Sequence, residues 1–170
     1  MRMQGTDAEE GAASPVSIRP AAPDDAGAIC RIHRSSVCVL CSAAYSPQEI
    51  EAWVGHTDPA EYRKLLAAGD ETFFVAERDH EVVGFSALHD DEVTAVFVDP
   101  ERGRGTGEPL LAAVEDVARK KGVPMLRLLS TITGFPFYLA HGYVEQGRSS
   151  MIRSGVALLV IEMTKILLAG

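Results

Sequence analysis

The sequence predicts an α/β fold of the α+β kind: a mixed, mostly antiparallel sheet flanked by helices on both faces, with one parallel pair of central strands. Three observations lead there. Residues 72–98 carry three strand patterns of period two, separated by the short turns Asp79-His80-Glu81 and His89-Asp90-Asp91, which makes an antiparallel meander. The strand from Glu92 and the strand from Val123 are joined by a helix pattern, so they should run parallel and adjacent. Helix patterns both precede and follow the meander, and the full order reads β-α-α-α-β-β-β-α-β-α-β-β with no internal repeat.

Each element has its own signal. Residues 1–15 are small, polar and glycine-containing, with too little apolar surface to offset ordering, and are expected to form a flexible extension before one domain spanning 16–170. Val16 and Ile18 alternate with Ser17 and Arg19 as a short strand. Pro23-Asp24-Asp25 starts a helix whose Ile29, Ile32, His33 and Val37 recur on one face to about Cys41. Ser46-Pro47-Gln48-Glu49 is a capping box with proline at the first helical position, and Asp58-Pro59-Ala60-Glu61 starts a further helix with the same early proline. Strands follow at Thr72–Glu77, Val82–Leu88 and Glu92–Val98, then a helix from about Glu108 to Lys121 closed by Gly122. The remainder reads as a strand at Val123–Leu129, a short helix at Phe135–His141, a strand at Tyr143–Gln146, a turn over 148–155 and a last strand at Ala157–Lys165. That last strand is apolar on both faces, which fits either a central buried position or pairing across a homodimer.

Composition narrows the function. With 170 residues, 46 % apolar and 24 % charged, the chain has the balance of an ordinary water-soluble domain with room for one core. A net charge of −8 without a basic face argues against nucleic acid as a partner and suits a small-molecule or peptide amine better. The N-terminal segment has no apolar h-region, and the longest apolar run is too short to cross a bilayer. No membrane partner and a cytoplasmic location are therefore expected. The odd cysteine count gives no disulfide framework. Cys38-x-x-Cys41 lies within a predicted helix and lacks a second pair, so no metal site is expected.

The densest chemical signal is the segment 92–122, in which a strand feeds a Gly- and Arg-rich loop that opens a helix. Unpaired amides and the positive end of the helix dipole converge at such a point, which makes it an anion site, most simply for phosphate. Glu108-Pro109 stand where a P-loop needs Lys-Ser/Thr, and the third glycine of a dinucleotide fingerprint is missing. What the loop matches is R-x-x-G-x-G, filled by Arg102, Gly103, Arg104, Gly105, Thr106 and Gly107 after Val98-Asp99-Pro100. This resembles the pyrophosphate loop of the GNAT family of acyl-CoA-dependent N-acetyltransferases. Phe137-Tyr138-x-x-x-Gly142-Tyr143 is similar to a second signature of that family, and its order of elements covers about Val16 to Leu167. Tyr45 to Trp53, Pro136 to Tyr138 and Arg153 to Val156 are similar to bacterial members of the YafP-like kind.

The resemblance implies a transferase that moves an acetyl group from acetyl-CoA to a primary amine by direct attack in a ternary complex. It implies that backbone amides from Gly103 to Gly107 hold the pyrophosphate, with Arg102 and Arg104 adding charge, that Val96, Phe97 and Val98 pair with the pantetheine arm, and that Thr133 stands at a further cofactor contact. Tyr138 falls at the position of the family's acid for the departing thiolate, and Glu92 at one used as general base, with His89 as the competing base. Tyr45 and Trp53 lie in the region that covers the acceptor in related proteins, where an aromatic face can hold a cationic amine. His33, His56 and His141 read as surface or helix-end residues. The rival to a transferase is a catalytically silent module of the same fold that binds acyl-CoA or a partner without turnover.

Overall fold

The computed structural model of the protein describes residues 14–167, so the extension expected over residues 1–15 lies almost wholly outside the described residues. In chain order the elements are β1 (Ser17–Pro20), a single turn of tight helix (Pro23–Asp25), α1 (Ala26–Leu40), α2 (Pro47–Val54), α3 (Pro59–Ala68), β2 (Thr72–Arg78), β3 (Glu81–His89), β4 (Glu92–Val98), α4 (Gly107–Lys120), β5 (Met125–Ser130), α5 (Phe135–Ala140), β6 (Val144–Arg153) and β7 (Val156–Ile166). The strands form one sheet in the order β1-β2-β3-β4-β5-β7-β6, with β4 and β5 parallel and every other pair antiparallel.

The helix starts work as their sequences require. Ser46 accepts from the Glu49 amide at 3.2 Å while the Glu49 carboxylate accepts from the Ser46 amide at 2.8 Å, so two donors that the helix cannot use are satisfied. Asp58 accepts from Ala60 N at 2.9 Å and caps α3. The Asp79-His80 hairpin turn holds both residues at positive φ, 53° and 64°, as a tight two-residue turn demands.

Period-two alternation in the strands sorts the core into two layers. Phe73, Val75, Phe85 and Ala87 point to the face where Ile29 and Ile32 of α1 pack, whereas Leu88, Val93, Leu126, Leu128, Ile161 and Met163 pack with Leu111, Val114 and Ala118 of α4 on the opposite face. Glu115 of α4 is buried in that second layer and is held by Lys165 Nζ at 2.9 and 3.0 Å, Tyr143 OH at 3.1 Å and Arg119 at 3.3 Å, so its charge is both paired and hydrogen-bonded.

One expectation is corrected. β6 runs to Arg153, and the turn is only Ser154-Gly155, at φ 48° and 76°. Glycine and serines that resemble a turn belong instead to an edge strand with a bulge at 145–147, where Gln146 is the residue left out of the ladder. Of the two positions the sequence left open for β7, the structure shows the interior one: it pairs with β5 on one side and β6 on the other, with Leu159 and Ile166 exposed. No described helix is long and apolar enough to cross a membrane.

Candidate active site

β4 and β5 pair at a single register position, Glu92 with Arg127, and then diverge. From Thr94 to Val98 the side of β4 that faces β5 has no strand partner. A cavity of about 750 Å³ occupies the opening, walled by Val96, Phe97, Val98, the loop before α4 and the α5 side chains at one end, and by side chains of α1, α2, β6 and β7 at the other.

The loop before α4 is folded on itself so that some of its amides stay free. Asp99 turns its carboxylate back on Glu101 N and Arg102 N at 2.9 and 3.0 Å, and its carbonyl accepts from Gly103 N at 2.8 Å. Thr106 is fully buried, with its hydroxyl on Gly103 O at 2.5 Å. The amides of Arg104, Gly105, Gly107 and Glu108 donate to no described residue. At Gly103 a Cβ would lie 2.5 Å from Asp99 N and 2.6 Å from both Asp99 O and Val83 O, so only glycine fits there; Gly105 adopts φ 82°.

A residue with no local signal fixes this loop from outside. Arg78, at the end of β2, donates to Arg102 O at 2.6 Å and to Arg104 O at 3.1 Å. The carbonyl of Arg104 and the N–H of Gly105 belong to one trans peptide plane, so holding the carbonyl toward Arg78 turns the amide the opposite way. The two loop arginines also divide: Arg104 lines the cavity, while Arg102 forms an ion pair with Glu81 and does not.

Tyr138 lines the cavity on α5 and is buried. Burial drives its phenol pKa upward, its ring packs edge-on against Phe137 and Tyr143, and its hydroxyl has no hydrogen bond to a described residue. Thr133 lines the same wall. Glu92 lies at the start of β4 on the cavity wall with its carboxylate 3.2 Å from Arg127. His89 is half-exposed beside Asp90 and does not line the cavity.

At the end of the cavity lined by α1, α2, β6 and β7 the predicted residues separate. Trp53 is on the wall; Tyr45 is behind it, its hydroxyl donating to Leu159 O at 2.6 Å and accepting from Ile132 N at 3.1 Å, which ties the loop after β5 to β7. His33 is the residue that sequence reasoning placed wrongly. It is not at a helix end or on the surface but packs against Phe97, with ring centroids 4.6 Å apart, and lines the cavity. Burial, then the charges of Arg153 and Arg34, lower its pKa to about 4, so the ring is neutral. Nδ1 meets Tyr62 OH at 2.7 Å. That hydroxyl has no other partner among the described residues, and burial raises its pKa, so it serves best as donor to Nδ1. The proton of His33 then sits on Nε2, a buried atom without a hydrogen-bond partner. Cys30 and Cys41 are buried thiols whose pKa values burial raises, and no group of metal-binding side chains occurs among the described residues.

A sequence model for the acetyltransferase (GNAT) domain matches residues 41–167. The chain belongs to the GNAT acetyltransferase family. Its relatives include the uncharacterized N-acetyltransferase YafP of Escherichia coli K12, 31 % identical over 136 residues that cover 78 % of this chain and 85 % of YafP. Among solved structures, a GNAT N-acetyltransferase from Rhodopseudomonas palustris superposes with a TM-score of 0.82 at 28 % identity, covering 92 % of this chain and 98 % of the other. The PaiA N-acetyltransferase of Thermoplasma acidophilum, solved in complex with coenzyme A, shares the GNAT fold with a TM-score of 0.73 at 22 % identity, covering 90 % and 99 %.

Proposed function

We propose that this GNAT acetyltransferase binds acetyl-CoA in the opening between β4 and β5 and transfers the acetyl group to a primary amine in a ternary complex. The observation that carries this is the set of free amides at Arg104, Gly105, Gly107 and Glu108, at the head of α4 and beside the unpaired edge of β4. Amides and helix dipole together favour the pyrophosphate, while the edge at Val96 to Val98 offers the strand-like partner that an amide-bearing pantetheine arm can use. Arg104 adds charge near the phosphates; Arg102, engaged with Glu81, acts through its backbone.

In the reaction the amine nitrogen attacks the thioester carbon, the C–N bond forms, the C–S bond breaks and the thiolate leaves. Tyr138 is the proton donor to that sulfur, because it lines the cavity with its hydroxyl otherwise unengaged, and it regains its proton from the one the amine releases, passed on from Glu92 or water. Glu92 receives the amine proton, directly or through water, as the carboxylate at the start of β4. The donor to the tetrahedral oxyanion is a backbone N–H of β4 within Val96 to Val98.

Isothermal titration with acetyl-CoA tests the cofactor half. Saturable micromolar binding by the wild type, abolished by Gly105→Asp, is expected, since the substitution puts a negative charge into the cradle at a position of positive φ. A folded wild type that shows no binding would overturn the transferase reading.

A further inference from the structure

The acceptor-side end of the cavity has a local charge opposite to that of the chain. Arg153, the last residue of β6, lines it; its guanidinium hydrogen-bonds only the neighbouring Ile152 carbonyl, at 3.1 Å, and no described carboxylate pairs with it. Arg34 on α1 is engaged by Val54 O at 2.8 Å and also has no acidic partner among the described residues. Their charges reach His33, between them and Phe97, and help to keep that ring neutral. The carboxylates that do line the cavity are accounted for elsewhere: Glu92 is paired with Arg127, and Glu108 stands at the head of α4.

This end therefore presents a guanidinium with no described carboxylate opposite it, while the Nε2–H of the neutral His33 imidazole lies buried behind the wall. A polyamine would bring a second cation against Arg153. A molecule with an amine at one end and an anion at the other can turn its amine toward the thioester and its anion to Arg153, and a guanidinium fork matches a carboxylate in geometry as well as charge. We propose that the acceptor is a small amine that also carries a carboxylate, of amino-acid type, held by Arg153 with the neutral His33 behind it. This rests on the transferase reading and names its substrate class. The balance is that of amide formation: the amine loses one proton, the acetyl carbon exchanges sulfur for nitrogen, and the products are an N-acetyl amino acid and CoA thiol, with no change of oxidation state.

Matched pairs that differ only in the carboxylate test it: phenylalanine against phenethylamine, lysine against cadaverine and glycine against methylamine. Each is assayed with acetyl-CoA by release of free thiol and, in parallel, by thermal shift of the protein with and without CoA. The wild type should favour the carboxylate member of at least one pair by tenfold or more in kcat/KM, or, where no pair turns over, show a shift with that member alone. Arg153→Glu should abolish or reverse the preference while leaving the titration with acetyl-CoA unchanged; Arg153→Gln, which keeps an N–H donor without the charge, should retain part of it. Equal response to both members of every pair, preference for the decarboxylated members, no response to any carboxylate member, or an Arg153→Glu variant with wild-type preference would each overturn the proposal. Loss of acetyl-CoA binding by the wild type would instead overturn the transferase reading, and the shifts measured without CoA would still judge the acceptor site.

Discussion

The two ends of the cavity are made of different material. The end before α4 is made of backbone: free amides, two further amides held by the Asp99 carboxylate, carbonyls held by Thr106 and Arg78, and a glycine at 103 that no other residue can replace. The opposite end is made of side chains brought from separate elements, His33 from α1, Trp53 from α2, Tyr62 from α3 and Arg153 from β6. Backbone recognition fits a ligand common to a whole family, because phosphate oxygens need N–H groups and not particular side chains. Side-chain recognition can change one residue at a time without disturbing the cradle. A cavity divided this way can keep one end constant while the other changes at a few exchangeable positions.

The comparison breaks first at Gly103. Gly103→Ala should abolish acetyl-CoA binding in a titration and lower stability by about 3 kcal/mol in denaturant unfolding, because the new methyl group collides with backbone that cannot withdraw. The opposite end is probed by acid. His33 is neutral in the folded protein down to about pH 4, while the unfolded chain protonates it near 6.5, so between those values the unfolded state binds more protons. Stability should be fully present above 6.5 and fall as the pH drops toward 4, by up to about 3 kcal/mol from this group, and His33→Gln should flatten that part of the profile. Tyr138→Phe stands between the two ends: kcat should drop about a hundredfold with little change in the Kd of acetyl-CoA, since the variant keeps the packing and loses the proton. The mildest effect belongs to Arg78→Ala, which should raise the Kd of acetyl-CoA about tenfold, or about 1.4 kcal/mol, by freeing the peptide that aims the Gly105 amide. Equal acetyl-CoA affinity in Arg78→Ala and wild type would remove Arg78 from the cradle.

What the sequence made legible follows the same division. The order of elements along the chain, the antiparallel meander, the parallel pair, the caps at Ser46 and Asp58 and the glycine loop are local or periodic signals, and residues a few positions apart carry them. Arg78 escapes such a reading because it reaches the loop across 24 positions of chain, from a strand whose other duties leave no trace of that one. His33 shares its helical face with core residues, and nothing in α1 reveals that Tyr62 of another helix takes its Nδ1. Arg102 and Arg104 are equally basic in sequence; only the nearness of Glu81 distinguishes them. β6 was hidden by Gly147, Ser149 and Ser150, residues that an edge strand tolerates and that also make turns.

The divergence of β4 from β5 also bears on solubility. A strand that leaves backbone groups unpaired invites the strands of other chains, and proteins usually blunt such edges with charge, proline or a covering segment. Here the unpaired stretch from Thr94 to Val98 lies in the interior of the sheet order, with β5, β7 and β6 standing between it and the far edge. The slot is open to a slender molecule and closed to a neighbouring sheet, so hydrogen-bonding capacity is kept available at the centre of the molecule without becoming a seed for aggregation.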